Sequence, residues 1–223
     1  TPLLRALAAL GDGDALPVVL RLTTGLPAGL RLRDALLASA VRTLGALGEA
    51  AGEAIPVLRG LLDGGCGVAA AEALWSIEGD AEAVLPVLLR ELRGEGGSRA
   101  AAEALGRLGP AAGTAVPGLH ELTRSGDPWE RTTAACSLWR ITGEPSPSSD
   151  ILRTAWRENP YTRVQIATLA ADLGSAANPL HDLLRTELST PHRHRAAQGT
   201  YTGTDLHEDE ALLRECRRAL GST

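Results

Sequence analysis

The chain has 223 residues, 44% of them hydrophobic but only 3% aromatic, with no Phe and no Met. Its basic residues are 22 arginines with no Lys, and its formal net charge is −5, which argues against a general coat for nucleic acid or anionic membrane. No apolar run approaches a transmembrane length and no signal peptide is visible, while the three cysteines, Cys66, Cys136 and Cys216, form no CxxC pair and no even-numbered disulfide framework.

The expected setting is therefore reducing and cytoplasmic. The Arg and Ala bias suits a GC-rich bacterial genome, a codon effect before a functional one. The chain opens with Thr1-Pro2 rather than Met, and no polar capping helix precedes the first predicted helix. We expect further repeats upstream in a longer chain.

In chain order, helical hairpins are predicted at about 1–24, 30–64, 68–93, 98–125, 128–158, 160–188 and 192–220. The first opens with a short helix around Leu3 to Leu10. Gly25-Leu-Pro-Ala-Gly29 separates it from the second, Gly64-Gly-Cys-Gly67 the second from the third, and Gly94-Glu-Gly-Gly97 the third from the fourth. The fifth is the clearest. Asp127 can cap a helix, Pro128 fits its first position, and Ala134, Ala135, Leu138 and Ile141 recur at helical spacing. A Pro- and Ser-rich excursion, Thr142 to Ser149, leads to a second amphipathic helix from Asp150, with Ile151, Leu152, Ala155 and Trp156 as its apolar face. The seventh is degenerate: Thr200 and Gly203 stand where the fifth has Leu138 and Ile141, as in a polar terminal cap.

The periodicity is countable. The apolar residue that closes each first helix is Leu10, Leu47, Ile77, Leu108, Ile141 and Leu173, at steps of 37, 30, 31, 33 and 32. A glycine follows directly or one residue later: Gly11, Gly48, Gly79, Gly109, Gly143, Gly174. The second helix opens with an apolar-Pro pair at Leu16-Pro17, Ile55-Pro56, Leu85-Pro86 and Val116-Pro117. Proline is tolerated there because first-turn N–H groups lack an intrahelical acceptor.

This pattern, best seen as Asp127-Pro-x-x-Arg131-x-x-Ala134-Ala135-x-x-Leu138-x-x-Ile141-x-Gly143, resembles the HEAT-repeat family, in particular the short HEAT-like repeats first noted in phycobilisome lyases. Asn159-Pro160-x-x-Arg163 with Ala167 and Leu173 is a weaker copy; Arg193, Ala196 and Ala197 are the remnant of a third. The resemblance covers essentially the whole chain. It implies an all-α fold: one right-handed α-solenoid of about seven helix-turn-helix repeats over 1–223, with the second helices lining a concave face. It implies little about activity, because such repeats are scaffolds for many functions.

Counting from the proline, positions +2, +5 and +6 of the second helices carry the core residues (Leu58, Leu61, Leu62; Leu119, Leu122; Leu152, Ala155, Trp156). Positions +3 and +7 then point away. They hold Arg59, Leu89, His120 and Arg153, and Asp63, Arg93, Arg124 and Arg157; the later helices add His181, Arg185, Arg214 and Arg218. A ridge of arginines predicts an anionic partner: an acidic peptide or protein first, a nucleic-acid backbone less so. The same residues can also be a solvated face neutralised by Glu121, Glu158, Asp182 and Glu187.

Trp75 and Trp139 occupy equivalent positions off the core stripe, where the other repeats have Ala8, Gly45, Gly106 and Ala171. Exposed, they would anchor a partner; otherwise they pack on the adjacent repeat. His192-Arg-His194-Arg195 and His207-Glu-Asp-Glu210 are the only metal-like constellation, and alternate positions on a helix do not share a face. No GxSxG, HExxH, P-loop or Rossmann fingerprint is present.

The leading expectation is thus a non-enzymatic scaffold, with no cofactor and no metal, that binds protein through Arg59, Arg93, His120, Arg124, Arg153, Arg157, His181, Arg185, Arg214, Arg218, Trp75 and Trp139. The family resemblance also reaches alkylpurine DNA glycosylases and bilin lyases. A glycosylase wants a basic groove and a catalytic Asp among aromatics; the arginines and Trp156 partly fit, the acidic balance does not. A third reading is an accessory segment of a larger multidomain enzyme.

Overall fold

A computed structural model describes residues 16–27, 32–94, 97–190 and 203–221, the side chains of 203–206 excepted. The described residues are helical, without strands. Their α-helices are α1 (Leu16–Gly25), α2 (Arg33–Ala46), α3 (Ile55–Gly60), α4 (Gly67–Glu78), α5 (Ala81–Arg93), α6 (Ser98–Leu108), α7 (Val116–Leu122), α8 (Pro128–Thr142), α9 (Ser148–Glu158), α10 (Arg163–Leu173), α11 (His181–Ser189) and α12 (Gly203–Leu220). The opening helix expected around Leu3 to Leu10, the remnant at Arg193, Ala196 and Ala197, and Thr200 lie outside the described residues.

The chain divides into two compact units, 1–112 and 113–223. In the first, α2 packs on α4, α4 on α5 and α5 on α6, with α1 against α2 and α3 against α4. In the second, α8 packs on α7, α9 and α10, and α12 closes over α10 and α11.

The predicted punctuation falls where helices end. Gly79 and Gly143 sit at φ +68° and +72° and donate their N–H to the carbonyls of Trp75 and Trp139, both at 2.9 Å. That left-handed conformation is open to glycine without a Cβ penalty, so the helix stops there. The repeat-equivalent Gly48, Gly109 and Gly174 are also at positive φ. After these three the chain winds into short 3₁₀ turns, Gly48–Ala54, Gly109–Ala115 and Gly174–Leu180, rather than into open loops.

Two predicted helix starts move. α5 begins at Ala81, because Asp80 accepts hydrogen bonds from the N–H groups of Glu82 and Ala83 at 3.0 and 3.4 Å. Pro86 therefore lies inside the helix rather than at its start. α9 begins at Ser148, two residues before Asp150.

Because the core residues are small, backbones approach closely. Ala70, Ala71, Ala101, Ala102 and Ala104 are fully buried, alternating with Leu74, Leu88 and Leu105. At Gly45 an added Cβ would lie 2.9 Å from the Cα of Ala73, so α2 and α4 touch at the backbone. The second unit is bulkier, gathering Trp139, Trp156, Ile166, Leu152 and Leu184 with Leu212 and Cys216 of α12.

An arginine near the start of a helix ties it to the end of the helix before. Arg33 Nε donates to the Leu26 carbonyl at 3.4 Å. Arg131 Nη1 donates to the carbonyls of Ser125 and Gly126 at 2.9 and 3.0 Å. Arg163 Nε donates to the Trp156 carbonyl at 2.9 Å. Leu26, Ser125 and Gly126 lie in the connections just past a helix. Trp156 is instead in the last turn of α9, where its carbonyl lacks an intrahelical donor and sits at the negative end of the helix dipole, so the guanidinium of Arg163 meets both needs. Arg163 goes further. It is buried, its Nη1 lies 3.1 Å from the buried Glu187 carboxylate, and its guanidinium lies 5.5 Å from the Trp156 ring centroid.

Removing one partner of that pair strands a charge in the core. Arg163→Ala or Glu187→Ala should each cost about 3–5 kcal/mol, and the double variant clearly less than their sum; urea unfolding checks it. Gly45→Ala should cost about 1–3 kcal/mol by overpacking. Gly60→Ala, with nothing within 4 Å of the new Cβ, should be neutral or stabilising by about 0.5 kcal/mol; thermal melts of the two variants give the contrast.

Candidate binding surfaces

The residues predicted to point outward from the second helices do so in part. Arg59, Arg93, Arg124, Arg157 and Arg185 are exposed, while His120, Arg153 and His181 are half-buried. Several are already engaged. Arg59 pairs with Glu78 at 2.8 Å. Arg153 holds Asp182 with both Nη atoms at 2.6 Å and the Pro179 carbonyl at 2.7 Å, linking α9 to α11. His181 Nε2 is buried without a hydrogen-bond partner. By contrast Arg93, Arg124, Arg157 and Arg185 have no carboxylate partner among the described residues. Arg157 Nε is steadied by the Arg153 carbonyl at 3.2 Å.

Arg214 and Arg218 do not continue the ridge. α12 lies across α10, burying Leu212, Cys216 and Ala219. Arg218 consequently reaches Asp172 of α10 at 3.0 Å and Glu215 of its own helix. Asp172 also receives Arg140 of α8 at 2.8 Å, so one carboxylate joins three helices. Arg214 turns to Glu215 at 3.4 Å. The predicted phase takes α12 for another second helix, whereas its apolar residues seat it against α10 and α11.

Trp139 is likewise corrected as an anchor: it is fully buried, and its indole Nε1 has no hydrogen-bond partner. Trp75, its repeat equivalent, remains half-buried at a surface groove of the first unit. The same sequence position is core in one unit and surface in the other, because the outcome depends on what the neighbouring helices bring.

In the second unit a groove of about 340 Å³ opens between the end of α7 and α9. Ile151 and Ala155 give it an apolar floor, Thr123 and Thr154 hydroxyls, and Arg131, Asp150 and Glu158 charges. The helical spacing of Asp150, Thr154 and Glu158 puts them one turn apart on the side of α9 that faces α7. Arg153, on another side, faces α11. By sequence Glu158 is a neutralising neighbour of the arginines and Asp150 a helix start; in the structure both line the groove and neither has an ion-pair partner among the described residues.

All three cysteines are buried, and burial pushes the Cys66 thiol up, which keeps it protonated near neutral pH. No group of three or more His, Cys, Asp or Glu among the described residues could hold a metal ion; His192 and His194 lie outside those residues. No described helix is long and apolar enough to cross a membrane.

The Asp182 carboxyl is held down to about 2, first by its hydrogen bond from Arg153; burial opposes this, and that residue's charge and backbone hydrogen bonds add smaller downward effects. Its contribution to stability is present above about pH 4, the ordinary carboxylate range, and is lost as pH falls toward 2. An NMR titration should place its midpoint near 2 in the native chain, and Arg153→Gln should move it up toward about 4. No family model, no curated protein and no solved structure matches the chain.

Proposed function

We propose that the chain is a HEAT-like α-solenoid that performs no chemistry of its own and binds an acidic segment of a protein partner along its second helices. The observation that carries this reading is a set of unspent arginines. Arg124, Arg157 and Arg185 end or ride three second helices in a row, α7, α9 and α11. All three are exposed and have no carboxylate partner among the described residues. The helices are neighbours in that order: the groove joins α7 to α9, and the Arg153–Asp182 pair joins α9 to α11.

Arginine suits this task because its planar fork can take a carboxylate with two hydrogen bonds and is weakly hydrated. The groove beside the arginines supports a defined seat rather than a diffuse field. Asp150 and Glu158 repel carboxylates from its floor, leaving Ile151 and Ala155 for an uncharged side chain. A bound segment would thus set its acids on the rim and an apolar residue in the groove. The repeat spacing and the resemblance to HEAT-like repeats support the solenoid itself, since stacked hairpins present an extended curved surface suited to a peptide.

The test is binding of a fluorescent Glu-rich peptide carrying leucines, compared with duplex DNA, for the native chain and for Arg124→Glu/Arg157→Glu/Arg185→Glu. Peptide binding weakened at least about tenfold by the triple substitution is the expected result. Equal peptide binding by both proteins refutes the arginine surface. Tighter binding to DNA, with a steep salt dependence, replaces the partner class with nucleic acid.

A further inference from the structure

We propose a second binding site, independent of the first, in the groove around Trp75: it takes a peptide segment in which an apolar side chain stands beside a carboxylate. The groove, about 410 Å³, crosses α2, α4 and α6. Its construction follows the repeat. Gly45, Trp75 and Gly106 are 30 and 31 residues apart, one per helix. Gly45 lines the groove beside Trp75, with Ala73 and Ala104 as further small residues. A single indole therefore stands half-buried in a groove whose lining includes the small residues Gly45, Ala73 and Ala104.

Such an indole is costly to leave at a surface, and it gives a partner a large contact area at little entropic cost. The charges around it decide what sort of partner. Arg107 is spent: its Nη1 holds Glu72 at 2.5 Å and its Nη2 holds Glu103 at 2.6 Å. Glu72 is spent with it, three-quarters covered, and burial pushes its carboxyl up despite Arg107. Arg42, one turn before Gly45 on α2, lines the same groove, is exposed, and has no hydrogen bond or ion pair among the described residues. The charge of the groove without a hydrogen bond or ion pair among the described residues is the Arg42 guanidinium, which acts on Glu72 only through its charge and lines the same groove as the indole. An apolar side chain packed on Trp75 with an adjacent carboxylate on Arg42 satisfies both. A lysine-bearing segment would leave Arg42 repelled and would find Glu72 already taken.

The experiment uses the full chain and three probes: acetyl-Leu-Glu-amide, acetyl-Leu-Gln-amide and acetyl-Leu-Lys-amide. The indole N–H resonance of Trp75 is assigned by its loss in Trp75→Leu; unchanged Trp139 and Trp156 resonances show that this variant is folded. The expected result is a saturable shift of the Trp75 signal, with the Glu probe binding about fivefold tighter than the Gln probe, the worth of one exposed ion pair. Arg42→Gln should erase that difference and leave Gln-probe binding intact. Equal binding of all three probes, a preference for the Lys probe, or no shift of the Trp75 signal up to about 20 mM each overturns the proposal. Because none of these readouts involves Arg124, Arg157 or Arg185, the two sites stand or fall separately.

Discussion

The described structure depends most on how each helix end is satisfied. A short helix leaves several carbonyls without donors at its C-terminus, and these carry a partial negative charge. At the end of α9 an arginine from the next helix supplies one of the missing donors, Arg163 Nε to the Trp156 carbonyl. Arg33 and Arg131 make similar short links, reaching back five to seven residues to loop carbonyls, Leu26 for Arg33 and Ser125 and Gly126 for Arg131. The link is short in sequence, so it joins consecutive helices with little loop entropy. In Arg163 the same device has become a buried center, where the guanidinium also meets Glu187 and the Trp156 ring.

Around that device the molecule uses two kinds of packing. In the first unit the helices meet through alanine and glycine, so backbones come close and little apolar volume is needed. This explains how a chain with 3% aromatics builds a core. In the second unit, indoles and leucines fill a wider space under α12. Between neighbouring helices, ion pairs such as Arg90–Asp63, Arg107–Glu72 and Arg140–Asp172 span the surface. Exposed pairs of this kind contribute little stability singly. Their consequence for function is subtractive: they remove arginines from the set that a partner can reach. Among the described residues, the arginines that keep no carboxylate partner include Arg124, Arg157 and Arg185 in one unit and Arg93, and Arg42 beside Trp75, in the other, and both proposed sites draw on this set.

Helix positions, the glycines that end them and the outward phase of the second helices were legible in the sequence. Each is a local property: hydrophobic period, a positive φ, or a missing N–H acceptor. Leu58, Leu119, Leu152 and Trp156 are buried as their spacing predicts. Asp80 carried a capping signal too, Asp followed by the N–H groups of Glu82 and Ala83, but the apolar-Pro pair at 85–86 drew the helix start downstream. The Pro-x-x-Arg pattern is visible at 128–131 and 160–163, yet its contacts are not, because they are set by the fold: Arg131 serves the loop carbonyls of Ser125 and Gly126, and Arg163 the Trp156 carbonyl of another helix.

The sequence by itself determined the all-helical class and where helices break, since those depend on residues within one turn of each other. It did not determine which arginines are free. Arg153 and Arg157 are alike in sequence, one turn apart on α9, but Arg153 faces Asp182 across a helix gap and Arg157 does not. Nor did it separate Trp75 from Trp139, which hold the same repeat position and differ in whether neighbours cover them. The place of α12 was decided the same way, by the surface that α10 and α11 left uncovered rather than by its own period. Pairing, burial and seat are properties of residues far apart in the chain, and only the tertiary structure brings those residues together.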